Sequence, residues 1–296
     1  MTMLYLDQKF THMQNCDITQ KDNAKIEKNT NHRHSVDPLI IAHRGFNDTY
    51  PENSINAFKE ALNHNCRFLE TDINLTSDNV YILFHDDVSD GHPVIDLTYN
   101  AINKITPVDK FDNLMMFLIN SKINDFKLIL DIKFTNLFNS IAEGQDHLYS
   151  FLRSLLGKYQ QLIQFFIFQV TIQYVNIIDQ LLKKLSLRDI CQISWLPDFD
   201  YELDFFVSSV KPYNKTDSKN KNNEFCDLLF CDIIMCNYLD LLDQPDFDPK
   251  GYQIYIYTVN DPILIVSFKS LLYIKGIVTD KSINLYNNIN TYPDYI

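Results

Sequence analysis

CRFLETDINLTSDNVYILFHDD (residues 66–87) holds two strand-like runs, CRFLETDINL (66–75) and VYILFHDD (80–87), separated only by Thr76-Ser77-Asp78-Asn79. Both runs are rich in β-branched and aromatic residues. Four turn-forming residues are too few for the crossover that joins parallel strands. The second run must therefore fold back on the first as a hairpin, and only the first counts toward a parallel sheet. The same stretch sets Glu70 and Asp72 two residues apart. Alternate side chains of a strand share a face, so two carboxylates stand side by side. Burying them demands a positive partner.

Seven further runs of the same composition lie outward from this one: PLIIAHRG (38–45), KLILDIKF (127–134), IQFFIFQV (163–170), RDICQIS (188–194), DLLFCDIIMC (227–236), GYQIYIYTVN (251–260) and KGIVTD (275–280). Amphipathic segments fall between them. Residues 53–65 put Ile55, Phe58 and Leu62 on one stripe after a polar cap at Asn53 or Ser54. Residues 139–159 repeat the pattern with Ile141, Leu148, Leu152 and Leu155, and Asp261-Pro262 opens a last helix. FDNLMMFLIN (111–120) is apolar enough for an exposed lip, but its spacing suits a buried helix better. Strand and helix alternating over some 250 residues indicate a parallel sheet, and eight units indicate a closed (β/α)8 TIM barrel with a small hairpin insertion after the second strand. An open doubly wound sheet is the competitor, but no glycine-rich phosphate loop follows the first strand. The barrel domain is expected over residues 38–296, preceded by a polar N-terminal extension, 1–37. The polar stretch 211–225 reads as a surface loop.

The formal net charge of −12 argues against nucleic acid and anionic membrane as partners, yet a local cluster of Arg and Lys can still receive a small anionic substrate. Cys16, Cys66, Cys191, Cys226, Cys231 and Cys236 form no Cys-x-x-Cys pair, and the spacing of the last three does not match zinc. Several lie in apolar strand-like runs, so reduced buried thiols in a reducing compartment are expected. The opening MTMLYLDQKF lacks the apolar core of a signal peptide, and no run reaches transmembrane length. A cytoplasmic location is the expectation. His32 and His34 belong to a solvated tail rather than a metal site.

The working groups of a TIM barrel lie at the C-terminal ends of its strands. Those ends here carry His43-Arg44-Gly45, Glu70 and Asp72, Asp131-Ile132-Lys133, Tyr257-Thr258-Val259-Asn260 and Thr279-Asp280, and the hairpin ends in His85-Asp86. Singly, each has an ordinary structural explanation, as a salt-bridged rim or a pair satisfied locally. Together they make a coherent set. Glu70, Asp72 and Asp131 offer oxygen ligands to one hard divalent cation, Ca2+ or Mg2+. Arg44 and Lys133 supply fixed positive charge suited to a phosphate. His43 and His85 can exchange protons near neutral pH.

His43-Arg44-Gly45, Pro51-Glu52-Asn53-Ser54, Ala57-Phe58, Glu70-x-Asp72, Thr76-x-Asp78 and His85-Asp86 follow one another in an order and spacing that resembles the glycerophosphodiester phosphodiesterases. Asp131-Ile132-Lys133, Tyr257-Thr258-Val259-Asn260 and Gly276-Ile277-Val278-Thr279-Asp280 continue the resemblance, which covers roughly residues 38–285. It implies hydrolysis of a small-molecule glycerophosphodiester to glycerol 3-phosphate and an alcohol, a place in lipid and glycerol metabolism. It further implies a divalent metal on Glu70, Asp72 and Asp131, catalytic histidines at His43 and His85, and phosphate-binding cations at Arg44 and Lys133. Two positions depart from the family pattern. Asp131 stands where Glu is usual, one methylene shorter but with the same ligand chemistry. Tyr257 stands where Trp is usual, still an aromatic wall for substrate and now carrying a hydroxyl. Two alternatives share these motifs. One is a phospholipase D-like enzyme acting on lysophospholipid or sphingomyelin, the other a non-catalytic barrel that binds a phosphodiester.

Overall fold

The computed structural model describes residues 38–197, 231–242, 249 and 252–281. The expected N-terminal extension, the polar stretch 211–225, Cys16 and Cys226 lie outside the described residues.

The elements in chain order are β1 (Leu39–Ala42), α1 (Ile55–Asn63), β2 (Phe68–Leu75), β3 (Tyr81–Leu83), β4 (Val88–Ser89), β5 (His92–Pro93), α2 (Tyr99–Ile105), α3 (Phe111–Ser121), β6 (Lys127–Ile132), α4 (Ile141–Tyr159), β7 (Phe166–Val170), α5 (Ile172–Lys184), β8 (Gln192–Trp195), β9 (Ile233–Asn237), α6 (Tyr238–Leu242), β10 (Gln253–Tyr257), α7 (Pro262–Lys269) and β11 (Ile274–Thr279). Eight strands pair in parallel, in the order β1-β2-β6-β7-β8-β9-β10-β11, and β11 returns to β1 to close the barrel. Each of the eight staves overlaps one of the eight runs read from the sequence. β3 pairs antiparallel with β2 through Ile73–Leu83 and Leu75–Tyr81, so the hairpin rides on the upper half of β2, beyond the point where β1 leaves it. The insertion carries a small core of its own, Ile82, Val94 and Ile102.

Helix starts follow local chemistry. Ser54 accepts from the Ala57 amide, Ser140 from Glu143, and Asp261 from Ile263 with Pro262 in the first turn. α3 buries Phe111, Leu114, Met115 and Leu118, so one face of the apolar 111–120 run packs into the core, while Met116 is 50% exposed. One stripe residue departs from expectation: Ile141 is 48% exposed. It is the first residue of α4, where the chain has only just entered the helix at the barrel mouth. The face that packs inward is Gly144, Leu148, Phe151, Leu152, Leu155 and Tyr159.

The core has two parts. A large cluster fills the space between staves and helices. A smaller one, Ile41, Ile129, Ile167, Ile233, Met235, Tyr255 and Val278, fills the barrel itself. Tyr255 pairs in register with Gly276, and a Cβ on that glycine would sit 2.7 Å from the ring. A large side chain on one stave thus fits over none on the next, which is how a narrow barrel is packed. Period two then sets what lies above this plug: His43 follows Ile41, Asp131 follows Ile129, Gln169 follows Ile167, Tyr257 follows Tyr255 and Asp280 follows Val278. The polar residues are forced onto the inward face at the mouth by the same alternation that buries the plug.

Among the described residues, no helix is long and apolar enough to cross a membrane. Cys66, Cys191, Cys231 and Cys236 are free, buried thiols. Burial pushes Cys66 and Cys191 up to about 11 and Cys236 to about 12, as inert structural thiols require.

Candidate active site

β2 and β6 lie side by side with Asp72 opposite Asp131. Glu70, Asp72 and Asp131 are all buried, and each offers an oxygen within 4.8 Å of the others. Burial, then the charges of Asp72 and Asp131, push the Glu70 carboxyl well above the ordinary carboxylate range; Arg44 opposes them without cancelling them. All donors are carboxylate oxygens, converging and shielded from water, which is the chemistry a hard divalent cation requires. The three acids fit such an ion.

Two cations flank them. Lys133 Nζ lies 2.8 Å from Asp131 Oδ2 and 3.7 Å from Asp72 Oδ1. Burial alone would lower its pKa, but Asp131 and Asp72 outweigh it and keep the ammonium charged. Arg44 Nη1 donates to both oxygens of Glu52 at 2.9 Å, and Nε lies 3.1 Å from Asp72 Oδ2 without pointing along a hydrogen bond. Arg44 and Gly45 both take left-handed backbone, with φ of 55° and 79°. This turn aims the Arg44 amide at Glu70 Oε2, 2.9 Å away. A Cβ at position 45 would fall 2.7 Å from the Ala57 carbonyl carbon, so only glycine lets the turn press onto α1.

The histidines stand on either side. His43 Nε2 faces Glu70 Oε2 at 4.0 Å, while Nδ1 lies 2.7 Å from Asp280 Oδ1. His85 follows β3, half-buried, its Nδ1 2.7 Å from Asp86 Oδ1. It lines a cleft of about 480 Å3 together with Asp86, Asp87, Lys133 and Asn136. Burial first, with help from Asp86 and Asp131, raises the Asp87 carboxyl against the pull of Lys133 and His85. Tyr257 ends β10, and its phenol, pushed up to about 12 chiefly by burial, senses Lys133 and Asp131 across the mouth. All eight residues singled out from the sequence thus gather at the C-terminal end of the barrel.

The geometry adds residues that the sequence reading did not assign. Of the two candidate helix caps, Asn53 and Ser54, the structure uses Ser54, and Asn53 is free for another task. With φ of 56° it turns into the barrel, where Nδ2 donates to Asp72 Oδ2 at 2.9 Å and Oδ1 accepts from Thr71 Oγ1 and the Asp72 amide. Asn74 continues the Glu70, Asp72 alternation. Its Nδ2 donates to the carbonyls of Phe84 and Asp86, which holds the His85 segment against β2. Gln169, 4% exposed, sits opposite Asp131 on β7. Period two was the available signal for Asn74, and the Pro51-Glu52-Asn53-Ser54 run of the resemblance was the signal for Asn53.

A family model described as the glycerophosphoryl diester phosphodiesterase family matches residues 43–283. The chain belongs to that family. Among relatives of this phosphodiesterase-family chain, human glycerophosphodiester phosphodiesterase 1 is 32% identical over 113 residues, covering 36% of this chain and 30% of the relative. A glycerophosphodiester phosphodiesterase of Caldanaerobacter subterraneus is 37% identical over 78 residues, covering 25% of this chain and 32% of the relative. The chain thus spans about a third of the length of these two relatives. Solved structures align more broadly. A glycerophosphodiester phosphodiesterase from Parabacteroides distasonis superposes with a TM-score of 0.63 at 18% identity, covering 87% of this chain and 99% of that one. A phosphodiesterase from Oleispira antarctica, solved with the product sn-glycerol-3-phosphate, superposes with a TM-score of 0.57 at 15% identity, covering 86% and 97%. At these identities the likeness establishes the shared barrel.

Proposed function

We propose that this chain hydrolyses glycerophosphodiesters to glycerol 3-phosphate and an alcohol, with His43 and His85 as acid and base. The observation that carries the reading is one convergence: three buried carboxylates within 4.8 Å, two cations against them and a histidine on each flank. The product held by the O. antarctica neighbour is the one this reading expects.

Glu70, Asp72 and Asp131 would hold one divalent cation, Ca2+ or Mg2+, which when bound neutralises charge on the phosphate oxygens. The remaining work falls to the chain. Arg44 and Lys133 clamp the phosphodiester and stabilise charge that grows as the bond to the alcohol breaks. One histidine removes a proton from the attacking oxygen, and the other returns one to the departing alkoxide. Tyr257 forms an aromatic wall beside the substrate. The plug beneath the acids closes the barrel floor, so substrate enters from the mouth.

The test is glycerol 3-phosphate release from glycerophosphocholine by the purified protein, with Mg2+ or Ca2+ and again after chelation. Release that stops on chelation and resumes on adding the ion supports the reading. His43→Ala and His85→Ala should each lower kcat at least about 100-fold. His64→Ala should be nearly silent, since His64 caps α1, bonded through Nδ1 to Glu60 O. Near-wild-type turnover in both His43→Ala and His85→Ala would overturn the mechanism.

A further inference from the structure

Asp280 stands 237 residues from His43 in sequence, yet its Oδ1 lies 2.7 Å from His43 Nδ1. Three side chains engage this carboxylate. Oδ1 also accepts from Asn47 Nδ2 at 2.9 Å, and Oδ2 accepts from Asn260 Nδ2 at 2.6 Å. The orientation of Asn260 is not free. Its Oδ1 accepts from the Asp280 backbone amide at 2.9 Å, an unambiguous donor, and from Thr279 Oγ1 at 3.0 Å. The amide nitrogen must therefore face the carboxylate.

We infer that Asp280 is a positioning residue for His43, fixing its neutral ring as the Nδ1–H tautomer so that Nε2 presents a lone pair to the reacting centre. The inference rests on the proposed phosphodiesterase reading for its kinetic consequence, but not for its geometry. A carboxylate flanked by two amide donors has only acceptor capacity left for the ring, so Nδ1 must donate. Nε2, the far nitrogen, points toward Glu70 Oε2 at 4.0 Å. A proton taken up at Nε2 creates an imidazolium whose Nδ1–H already donates to an anion, so the charge forms beside its counter-ion. Among the described residues, Asp280 belongs neither to the three clustered acids nor to the lining of the cleft at His85, so its route to the reacting centre is the ring.

The contrast with His85 sharpens the assignment. Its partner Asp86 is the next residue along, and the Asp86 side chain is 67% exposed. That pair is local and solvent-washed. The His43 pair is long-range, with Asp280 held from both sides by amides on two other segments. The two histidines are supported by different means, and only one has its ring held by a carboxylate that Asn47 and Asn260 fix in place.

The experiment combines ring-15N NMR of the full chain in chelator with steady-state kinetics on glycerophosphocholine in Mg2+ or Ca2+. The His43 signals are assigned from their absence in His43→Gln. In the wild-type protein, the neutral ring should show the shifts of the Nδ1–H form. In Asp280→Asn, the new amide group faces two amide donors and the ring, and the signals should move toward the Nε2–H form. Its kcat should fall by about 10²–10⁴-fold, the range that acid–base catalysis by one ring contributes, with KM changed only a few-fold. A wild-type ring in the Nε2–H form would overturn the inference whether or not the variant folds. So would Asp280→Asn with kcat within a few-fold of wild type. If the wild-type protein cleaves no glycerophosphodiester, the functional reading fails, while the NMR result still decides the dyad.

Discussion

Asn53 donates its side-chain amide to Asp72 Oδ2 at 2.9 Å inside the barrel mouth. That bond orients one of three converging acids from a turn that also carries Arg44's neighbourhood, since the Asn53 amide donates to Arg44 O at 2.9 Å. Groups that orient a metal-binding carboxylate are expected to matter nearly as much as the carboxylate.

Asn53→Gly keeps the left-handed backbone at this position and removes only the side chain. It should weaken Mg2+ or Ca2+ binding by about 10–100-fold. Calorimetric titration of the metal-free protein checks this. Unchanged affinity would mean that Asp72 is held well enough by Arg44 and Lys133 alone.

Lys133 neutralises charge that the three acids cannot disperse. Lys133→Met leaves them with one fewer counter-charge and should destabilise the metal-free protein by about 3–5 kcal/mol, as breaking a buried pair does. Saturating divalent cation should recover part of the loss, because the ion replaces the missing positive charge. Urea unfolding with and without the ion measures both effects. A deficit that the ion does not reduce would argue against the cation binding between these acids.

Asp280 gives a pH dependence with a definite sign. Burial would raise its carboxyl, but the hydrogen bonds from His43, Asn260 and Asn47 outweigh that and hold it well below the usual range. A carboxylate depressed in the folded state stabilises the fold above its unfolded pKa of about 3.9. That contribution fades as pH falls below this value toward the folded pKa. In the metal-free protein, the stability gap between wild type and Asp280→Asn should be largest near pH 6 and narrow by pH 3. Urea unfolding at both pH values checks it, and a gap that widened in acid would contradict the hydrogen-bond account.

Two glycines of α4 make opposite cases. A Cβ at Gly144 would collide with the Tyr174 hydroxyl, which donates to Thr135 O and so braces the turn just after Lys133. Nothing lies within 4 Å of a Cβ at Gly157. Gly157→Ala should therefore stabilise by about 0.5–1 kcal/mol, and Gly144→Ala should destabilise by about 1–3 kcal/mol. Thermal melts of the two variants side by side test the pair.

Much of this architecture could be read before the structure. The staves announced themselves as short β-branched runs, and the turn of residues 76–79 was too short for anything but a hairpin. The rule that barrels place their chemistry at strand ends brought His43, Glu70, Asp131 and Lys133 to one mouth. What escaped was contact across the chain. Asn53 looked like a cap because caps are local, while its partner Asp72 belongs to the next stave. Asp280 was visible as a polar strand end, but nothing in its own neighbourhood named His43 as its partner. Ile141 matched a helical stripe and missed the core, because period alone does not say which turn of a helix overhangs the mouth.

The parallel pairing of β1 with β11 joins the earliest stave of the barrel to its latest. His43 is supplied by one and Asp280 by the other. A ribosome releasing this chain would therefore expose the acids of β2 and β6 long before the partner of His43 had been made. No partly synthesised barrel can hold the dyad. The contact between His43 and Asp280 requires β11 to lie beside β1, so it marks the closed ring.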